Sequence, residues 1–249
     1  MTNIVFISDF FIEELQGGAE KCNDVFIQKI SKSYKVKKIK SLNVDIDFLE
    51  NNKDNIFIVA NFFLLPQESK NYLCKLNYII YEHDHKYVDT NNPCKYREFQ
   101  IPVENIINLD LYSSAMAVLC QSTFHSQILY KNTLLQNIVN LAGNLWSDED
   151  LKTIHRNIGN QKTIENAIMK SLNPNKGMLQ AVNYCKRKKI DFEFIEPQRY
   201  ESFIENISKV KKLYFLPQWV ETYNRVAIEA RILGCTLVSN NLIGVTKED

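Results

Sequence analysis

Short apolar runs alternate with stretches of helical periodicity along most of the chain. The first apolar run, Asn3–Ser8, ends at Asp9 and is typical of a strand buried in a parallel sheet. The apolar positions after it recur at the spacing of one helix face: Cys22, Val25, Phe26 and Ile30. The pattern therefore predicts a strand followed by a helix that packs against it.

The same alternation continues through the first part of the chain. Four further apolar runs predict strands: Val36–Leu42, Ile56–Asn61, Leu76–Tyr81 and Ala115–Cys120. Ser122 is a favourable N-cap, and it predicts a helix that runs through Tyr130. Strands that alternate with helices in this way predict a parallel, doubly wound sheet with right-handed crossovers.

The alternation is interrupted between residues 140 and 165. Ser147 and Asp150 fit the two positions of a capping box, and the polar tract Arg156–Thr163 is typical of a linker. We expect a first domain over residues 1–145, a linker over 146–165 and a second domain over 166–249. Strands and helices are predicted to alternate in the second domain as follows: Ala167–Ser171, Gly177–Lys188, Asp191–Ile195, Tyr200–Val210, Lys212–Leu216, Thr222–Leu233 and Thr236–Ser239.

Composition narrows the functional classes. The chain has 249 residues and a formal net charge of +1, so no strong field favours nucleic acid or a membrane surface. No apolar run approaches the roughly 20 residues of a membrane helix, although peripheral membrane contact stays open. We expect no signal peptide, because Met1 leads almost directly into a strand. The six cysteines form no C-x-x-C pair, which favours a cytoplasmic location over a disulfide framework.

The most informative stretch runs from Leu216 to Gly244. Its predicted helix, Thr222–Leu233, lies between Pro217 and Gly234. Glu229 lies beside the apolar stripe of this helix, where a carboxylate is rarely placed without a partner. Glu221 precedes the helix, so one carboxylate lies at the helix mouth and a second lies two turns further on.

Two interpretations of these carboxylates stay open. A helix N-terminus suits a phosphate, and a carboxylate on either side can accept from sugar hydroxyls, so the arrangement fits a nucleotide-sugar. Alternatively, Glu221 with Arg225, or Arg225 with Glu229, forms an ordinary ion pair worth about 0.2–0.5 kcal/mol.

Several motifs resemble one known family in the right order. They are the E-x(7)-E pair Glu221 and Glu229 with the EAxxxGCxxVSN stretch after it, the GGxE loop Gly17-Gly18-Ala19-Glu20, and the KG element Asn175-Lys176-Gly177. Together they resemble the retaining GT-B glycosyltransferases of the "glycosyl transferases group 1" family. The resemblance spans nearly the whole chain.

The resemblance implies a fold, an activity and a set of site residues. The fold would be α/β of the GT-B type, with two Rossmann-like doubly wound parallel-sheet domains and an interdomain cleft. The first domain would take the acceptor and the second a nucleotide-sugar such as a UDP- or GDP-sugar. Glu221 and His83 would act at the donor sugar, without a metal or a cofactor. The implied donor-binding residues are Gly17, Gly18, Lys176, Thr222, Tyr223, Asn224 and Glu229.

Other candidate chemistry follows the strand that ends at Tyr81. His83, or in second place His85, could contact a substrate, could be a satisfied structural histidine, or could bind a metal, for which no third ligand is obvious. Two D-x-D matches, Asp45-Ile46-Asp47 and Asp148-Glu149-Asp150, are explained by a loop and by helix capping. No Ser/His/Asp or Cys/His triad is present in the sequence pattern.

The chain also departs from the family pattern. Ser171 stands where the family usually has an Arg, and Thr222-Tyr223-Asn224 stands where it often has glycines. Against the family pattern, we expect the second domain to be one strand–helix unit short and to end before the C-terminal helix that the family often has. A degenerate glycosyltransferase that binds a nucleotide-sugar or an active partner is therefore an alternative, and a sugar-nucleotide epimerase is another. The sequence does not identify the base, the sugar or the acceptor, which we expect to be a saccharide or another small molecule.

Overall fold

The computed structural model describes residues 3–248, and the chain divides into two units between Leu145 and Trp146. The strands of the first unit are β1 (Asn3–Ser8), β2 (Lys35–Lys40), β3 (Ile56–Val59), β4 (Tyr78–Tyr81), β5 (Ala117–Cys120) and β6 (Ile138–Asn140). They form one sheet in the order β2-β1-β3-β4-β5-β6, and each neighbouring pair is parallel. The helices are α1 (Gly18–Ile30), α2 (Ile46–Asn51), α3 (Gln67–Leu73), α4 (Leu109–Ser114) and α5 (Thr123–Thr133).

Alternate side chains of β1 enter two different cores, as the period of a strand requires. Ile4 and Phe6 pack with Cys22 and Ile27 of α1 on one face of the sheet. Val5 and Ile7 belong to the larger core on the other face, to which α2, α3, α4 and α5 all contribute. The first unit is therefore doubly wound, as its sequence pattern predicts.

The second unit has the same architecture on a smaller scale. Its elements are α6 (Asp148–Asn157), β7 (Ile164–Met169), α7 (Met178–Lys188), β8 (Glu193–Ile195), α8 (Tyr200–Ser208), β9 (Val210–Phe215), α9 (Arg225–Ile232) and β10 (Thr236–Ser239). The strands are parallel in the order β10-β9-β7-β8. Helix α7 packs on one face of this sheet, and α6, α8 and α9 pack on the other.

The expected linker over residues 146–165 is largely structured. Ser147 caps α6 by accepting a hydrogen bond from the Asp150 main-chain N–H at 3.0 Å, and Ile154 is 4% exposed within the core of the second unit. The capping box therefore starts a helix of this unit, and the polar segment between α6 and β7 is shorter than we expected.

Helix α9 begins later than its predicted start at Thr222. Asn224 has a φ of +77°, which a helix cannot include, so the helical run starts at Arg225. Among residues 3–248, no helix is both long and apolar enough to cross a lipid bilayer. All six cysteines are free thiols.

Candidate functional site

The loop that carries Lys176 is fixed against the end of β9. Gly177 has a φ of +69°, and a Cβ atom at this position would lie 1.7 Å from the Leu216 carbonyl oxygen. The Gln218 main-chain N–H also donates to the Asn175 carbonyl oxygen at 2.8 Å. The place of Gly177 in a strand-to-helix loop suggests that a ligand approaches its backbone. In the structure, the group that requires a glycine here is the Leu216 carbonyl of the protein itself.

This packing brings Lys176 and Glu221 together. The Lys176 Nζ lies 2.8 Å and 3.0 Å from the two carboxylate oxygens of Glu221. The lysine side chain is 35% exposed and the glutamate side chain is 12% exposed. The Glu221 backbone is held in turn by residues 242–244, since its N–H donates to the Leu242 carbonyl and its carbonyl accepts from Gly244, both at 2.8 Å. Two residues from separate sequence motifs thus share one ion pair.

Asn224 joins this pair to the start of α9. Its Oδ1 accepts from the Ala227 main-chain N–H at 2.9 Å, which makes it the N-cap of the helix. Its Nδ2 donates to Glu221 Oε2 at 2.9 Å. Asparagine tolerates the left-handed region better than most residues. Asn224 therefore holds a positive φ and also caps α9.

Thr222 and Tyr223 directly follow Glu221 in the chain, and the two residues are 7% and 8% exposed. The Tyr223 ring packs in a core with Phe215 and Ala227, and its centroid lies 6.3 Å from that of Trp146. Little of either residue, main chain included, is therefore exposed to a ligand.

Glu229 is 2% exposed, as its place beside the apolar stripe predicts. Trp146 Nε1 and the Tyr200 hydroxyl donate to its Oε1 at 2.8 Å and 2.9 Å, and Arg225 Nε lies 3.5 Å from the same oxygen. Burial raises the pKa of the Glu229 carboxyl, although these hydrogen bonds and the arginine charge oppose the rise. Protein groups therefore satisfy one oxygen of this carboxylate.

Arg225 is also largely buried and bonds elsewhere. Its guanidinium donates to Asp150 Oδ2 at 2.8 Å and stacks over the Trp146 ring, with 4.9 Å from Cζ to the centroid. The Arg225–Glu229 ion pair that we left open is therefore present, whereas Glu221 pairs with Lys176. Sequence reasoning missed Trp146 and Tyr200, and it assigned Asp150 to helix capping alone.

The first-unit candidates lie at the carboxyl ends of strands. Gly17 is the N-cap of α1 and Gly18 is its first residue. A Cβ atom at Gly17 would lie 2.2 Å from Glu20 Oε2, whereas one at Gly18 would meet nothing within 4 Å. Space for a ligand is therefore open at Gly18, and the Glu20 carboxylate lies over Gly17.

His83 is 5% exposed, and protein groups contact both of its ring nitrogens. Nε2 lies 2.7 Å from Asn23 Oδ1, and Nδ1 lies 3.0 Å from Gln121 Nε2. Burial, followed by the charge of Lys86, lowers the pKa of His83 to about 3. A neutral ring that accepts from Gln121 and donates to Asn23 satisfies this arrangement, as a structural histidine would.

The rest of the segment after β4 is mostly buried. Lys86 Nζ lies 2.9 Å from Glu82 Oε1, and the Tyr112 hydroxyl donates to Glu82 Oε2. His85 is fully buried, with Nδ1 3.2 Å from the Tyr87 hydroxyl. Over residues 3–248, no three His, Cys, Asp or Glu side chains converge as a metal site. Of the two D-x-D matches, the first is also a helix cap, because Asp45 accepts from the Phe48 N–H at 2.7 Å.

Comparison with solved structures identifies the fold. HepE from Anabaena, in complex with UDP and glucose, is 11% identical with a TM-score of 0.59, over 99% of this chain and 83% of HepE. The α,α-trehalose 6-phosphate synthase of Burkholderia multivorans is 8% identical with a TM-score of 0.65, over 99% and 84%. The UDP-GlcNAc 2-epimerase of Methanocaldococcus jannaschii, in complex with UDP-GlcNAc and UDP, is 10% identical with a TM-score of 0.52, over 96% and 83%.

These likenesses establish a class of structure. The chain has the GT-B fold, with two parallel-sheet α/β domains. No protein-family profile and no curated protein sequence matches the chain. At identities of 8–11%, fold alone is established, and the activity has to be argued from the site.

Proposed function

We propose that this protein is a glycosyltransferase that moves a sugar from a nucleotide-sugar to an acceptor, with retention at the anomeric carbon. The meeting of Lys176 and Glu221 at the start of α9 carries the proposal, since the E-x(7)-E and KG elements were recognised separately in the sequence. The UDP and UDP-glucose complexes of structural neighbours support a nucleotide-sugar as the donor.

Lys176 is the proposed diphosphate ligand. Its Nζ is held at the N-terminal end of α9 by Glu221, and its side chain is exposed enough for a ligand to reach. A diphosphate would compete for this ammonium group and would also be favoured by the positive end of the helix dipole. Glu221, still held by Asn224, would then accept hydrogen bonds from the donor sugar.

Glu229 is the proposed ribose ligand. Its Oε1 accepts from Trp146 and Tyr200, so the ribose hydroxyls would donate to Oε2. Thr222 and Tyr223, which lead into α9, would contribute main-chain N–H groups to the diphosphate. The roles of Gly17, Gly18 and His83 toward the donor remain predictions from the resemblance, and His83 would have to exchange a hydrogen bond to reach a sugar.

The proposed reaction breaks the bond between the anomeric carbon and the diphosphate oxygen, and forms a bond from that carbon to an acceptor hydroxyl. The hydroxyl proton leaves with the nucleoside diphosphate. Lys176 stabilises the charge that develops on the leaving group. No cofactor and no metal enters this scheme, and the first domain is the proposed acceptor side.

A donor screen followed by product analysis tests the proposal. Thermal shifts of the protein with UDP-, GDP-, ADP- and TDP-sugars should single out one base, because a ligand that binds only the folded state raises its melting temperature. Incubation of that donor with a panel of saccharides should release the nucleoside diphosphate and form a glycoside with the donor's anomeric configuration. Inversion, or binding of no nucleotide-sugar at all, would refute it.

Two observations favour alternatives to a glycosyltransferase, and the same experiments test them. Ser171, whose Oγ accepts from the Asn173 N–H at 3.2 Å, brings no cation where the family has Arg, which favours a degenerate enzyme that binds without transfer. The likeness to an epimerase favours isomerisation of the donor sugar without an acceptor. Binding without turnover would identify the first alternative, and an epimerised donor would identify the second.

A further inference from the structure

The carboxyl ends of β1 and β3 are the topological switch point of the first unit. In the order β2-β1-β3, the chain passes from β1 to β2 on one side of β1, and later returns to add β3 on the other side. Open parallel sheets bind ligands in the crevice at such a point. Helix α1 starts here, and its first turn holds Glu20.

Glu20 is a buried carboxylate that lacks a cationic partner. It is 6% exposed, and among residues 3–248 it forms no ion pair. Its carboxylate accepts a hydrogen bond from its own main-chain N–H, and Asn61 Nδ2 donates to Oε1 at 3.4 Å. Burial raises the pKa of Glu20, and the charges of Asp84 and Asp9 add to the rise, although hydrogen bonds from its own main-chain N–H and from Asn61 oppose it. An arrangement of this kind is costly unless a hydrogen-bond donor completes it.

Asn61 places a second hydrogen-bond acceptor beside the Glu20 carboxylate. It follows the end of β3, is 7% exposed, and its Oδ1 has no hydrogen-bond partner among the described residues. Its Nδ2 points to Glu20, so the amide group faces the carboxylate. Buried amide oxygens are nearly always paired in proteins, and each exception calls for an explanation.

Both groups accept hydrogen bonds, and this determines what can bind them. A ligand must present donors, and the nearby carboxylates of Asp9 and Asp84 disfavour a phosphate or a carboxylate. Adjacent hydroxyls of a sugar ring present two donors at short spacing. A Cβ atom at Gly18 would meet nothing within 4 Å, so the start of α1 is open on that side.

We propose that Glu20 and Asn61 bind two hydroxyls of a neutral sugar acceptor at the switch point of the first domain. This inference rests on the proposed function and adds the class of acceptor and the residues that hold it. Glu20 and Asn61 are thereby binding residues for the acceptor, separate from the diphosphate and ribose ligands proposed in the second domain.

Titration of simple sugars tests the site. Free glucose, galactose, mannose, N-acetylglucosamine and glucosamine are titrated in the presence of saturating UDP, with binding followed by saturation-transfer NMR. At least one neutral sugar should bind the parent protein. Its dissociation constant should rise about tenfold or more in Glu20→Gln and in Asn61→Ala, since each removes an acceptor of a buried hydrogen bond. Glu68→Gln, at an exposed site in the first turn of α3, is the matched control.

The outcomes separate this inference from the proposed function. Affinity for UDP should be equal in the parent and all three variants, and a parent that binds no nucleotide refutes the proposed function instead. Unchanged sugar affinity in either folded variant overturns the inference, as does a parent that binds no neutral sugar. Preferential binding of glucosamine would mean that the site recognises an ammonium group and not a pair of hydroxyls, and it would also overturn the inference. If one variant fails to fold, the other decides.

Discussion

The Nζ of Lys176 lies between the two carboxylate oxygens of Glu221, at 2.8 Å and 3.0 Å, although 45 positions separate the residues in the chain. Such a pair can be a structural ion pair or the resting form of a ligand site. In the first case the lysine has no preference among phosphates. In the second case a diphosphate displaces the glutamate, which makes the pair the most direct point to test.

We expect Lys176→Ala to lose more transfer than Lys176→Arg, because arginine keeps the positive charge at the start of α9. The affinities for UDP and UMP, or for GDP and GMP, should converge in Lys176→Ala, and calorimetric titration measures them. Lys170→Ala is the control, since Lys170 forms an exposed ion pair with Glu196 at 2.9 Å. A diphosphate preference equal to that of the parent would mean that the phosphate site is wrong.

Glu229→Gln and Glu229→Ala should weaken nucleotide-sugar binding by about 1.5–3 kcal/mol, the range for a hydrogen bond to a charged group. The alanine variant also leaves the Trp146 N–H and Tyr200 hydroxyl without their acceptor, so its melting temperature should fall more than that of the glutamine variant. Tyr200→Phe is the control for loss of one internal bond. Unchanged donor affinity in a folded variant would remove Glu229 from the site.

Asn224→Gly should be tolerated better than Asn224→Ala. Glycine keeps the φ of +77° without strain and loses the cap, whereas alanine is strained by about 1–2 kcal/mol and loses the cap as well. Urea denaturation measures the difference, and Asn241→Ala at an exposed position should leave stability unchanged. If alanine is tolerated as well as glycine, the left-handed conformation is not what selects Asn224.

EDTA should leave transfer largely intact. The proposed site neutralises the leaving diphosphate with Lys176 and the start of α9. In the two D-x-D matches, the Asp45 carboxylate caps α2 and the Asp150 carboxylate accepts from Arg225. Initial rates with EDTA, and after addition of excess magnesium, decide the point. A complete loss of transfer that magnesium restores would require a metal, and Asp84 with the histidines around it would again be candidate ligands.

The first unit should lose stability in acid. Burial lowers the pKa of His83 and of His125 to about 3, well below the value of about 6.5 in an unfolded chain. Between these values the unfolded state binds protons that the folded state does not, so stability is present above about pH 6.5 and falls as the pH drops toward 3. The slope reaches about 1.4 kcal/mol per pH unit for each histidine.

Hydrogen exchange of β4 and α5 at pH 7.5 and 5.0 measures this loss, after correction for the intrinsic rate. His125→Gln should reduce the pH dependence, while His155→Gln, at an exposed position of α6, should not. Buried carboxyls such as Glu82, with a raised pKa, act in the opposite direction, and the comparison of variants separates the two. An unchanged slope in His125→Gln would contradict the prediction.

Local patterns predicted the parallel sheets and nine of the ten strands in residues 3–248, but not β6. The strands Asn3–Ser8 and Thr236–Ser239 have the predicted bounds, because in each a short apolar run lies between polar residues. The helices α2, α3 and α4 were not predicted, since each has only six or seven residues and is shorter than the window in which a helical period can be recognised.

The sequence predicted the environment of a site residue only where it depends on the residue's own helix or motif. Helical spacing placed Glu229 in a buried position, but its donors Trp146 and Tyr200 are 83 and 29 positions away in the chain. No periodicity relates such distant residues, so their contact follows from tertiary packing alone. The same limit applies to His83, whose partners come from α1 and from the residue after β5.

The contact between Gly177 and the Leu216 carbonyl has a dynamic consequence. Backbone atoms, and not the ion pair, fix the loop of Lys176 to the segment before Glu221. A ligand that takes the ammonium group from the carboxylate therefore has only the more exposed Lys176 side chain to rearrange, since Asn224 still holds Glu221. Rotamer changes of accessible side chains take picoseconds to nanoseconds, so the exchange of Glu221 for a diphosphate would be much faster than any movement of a domain.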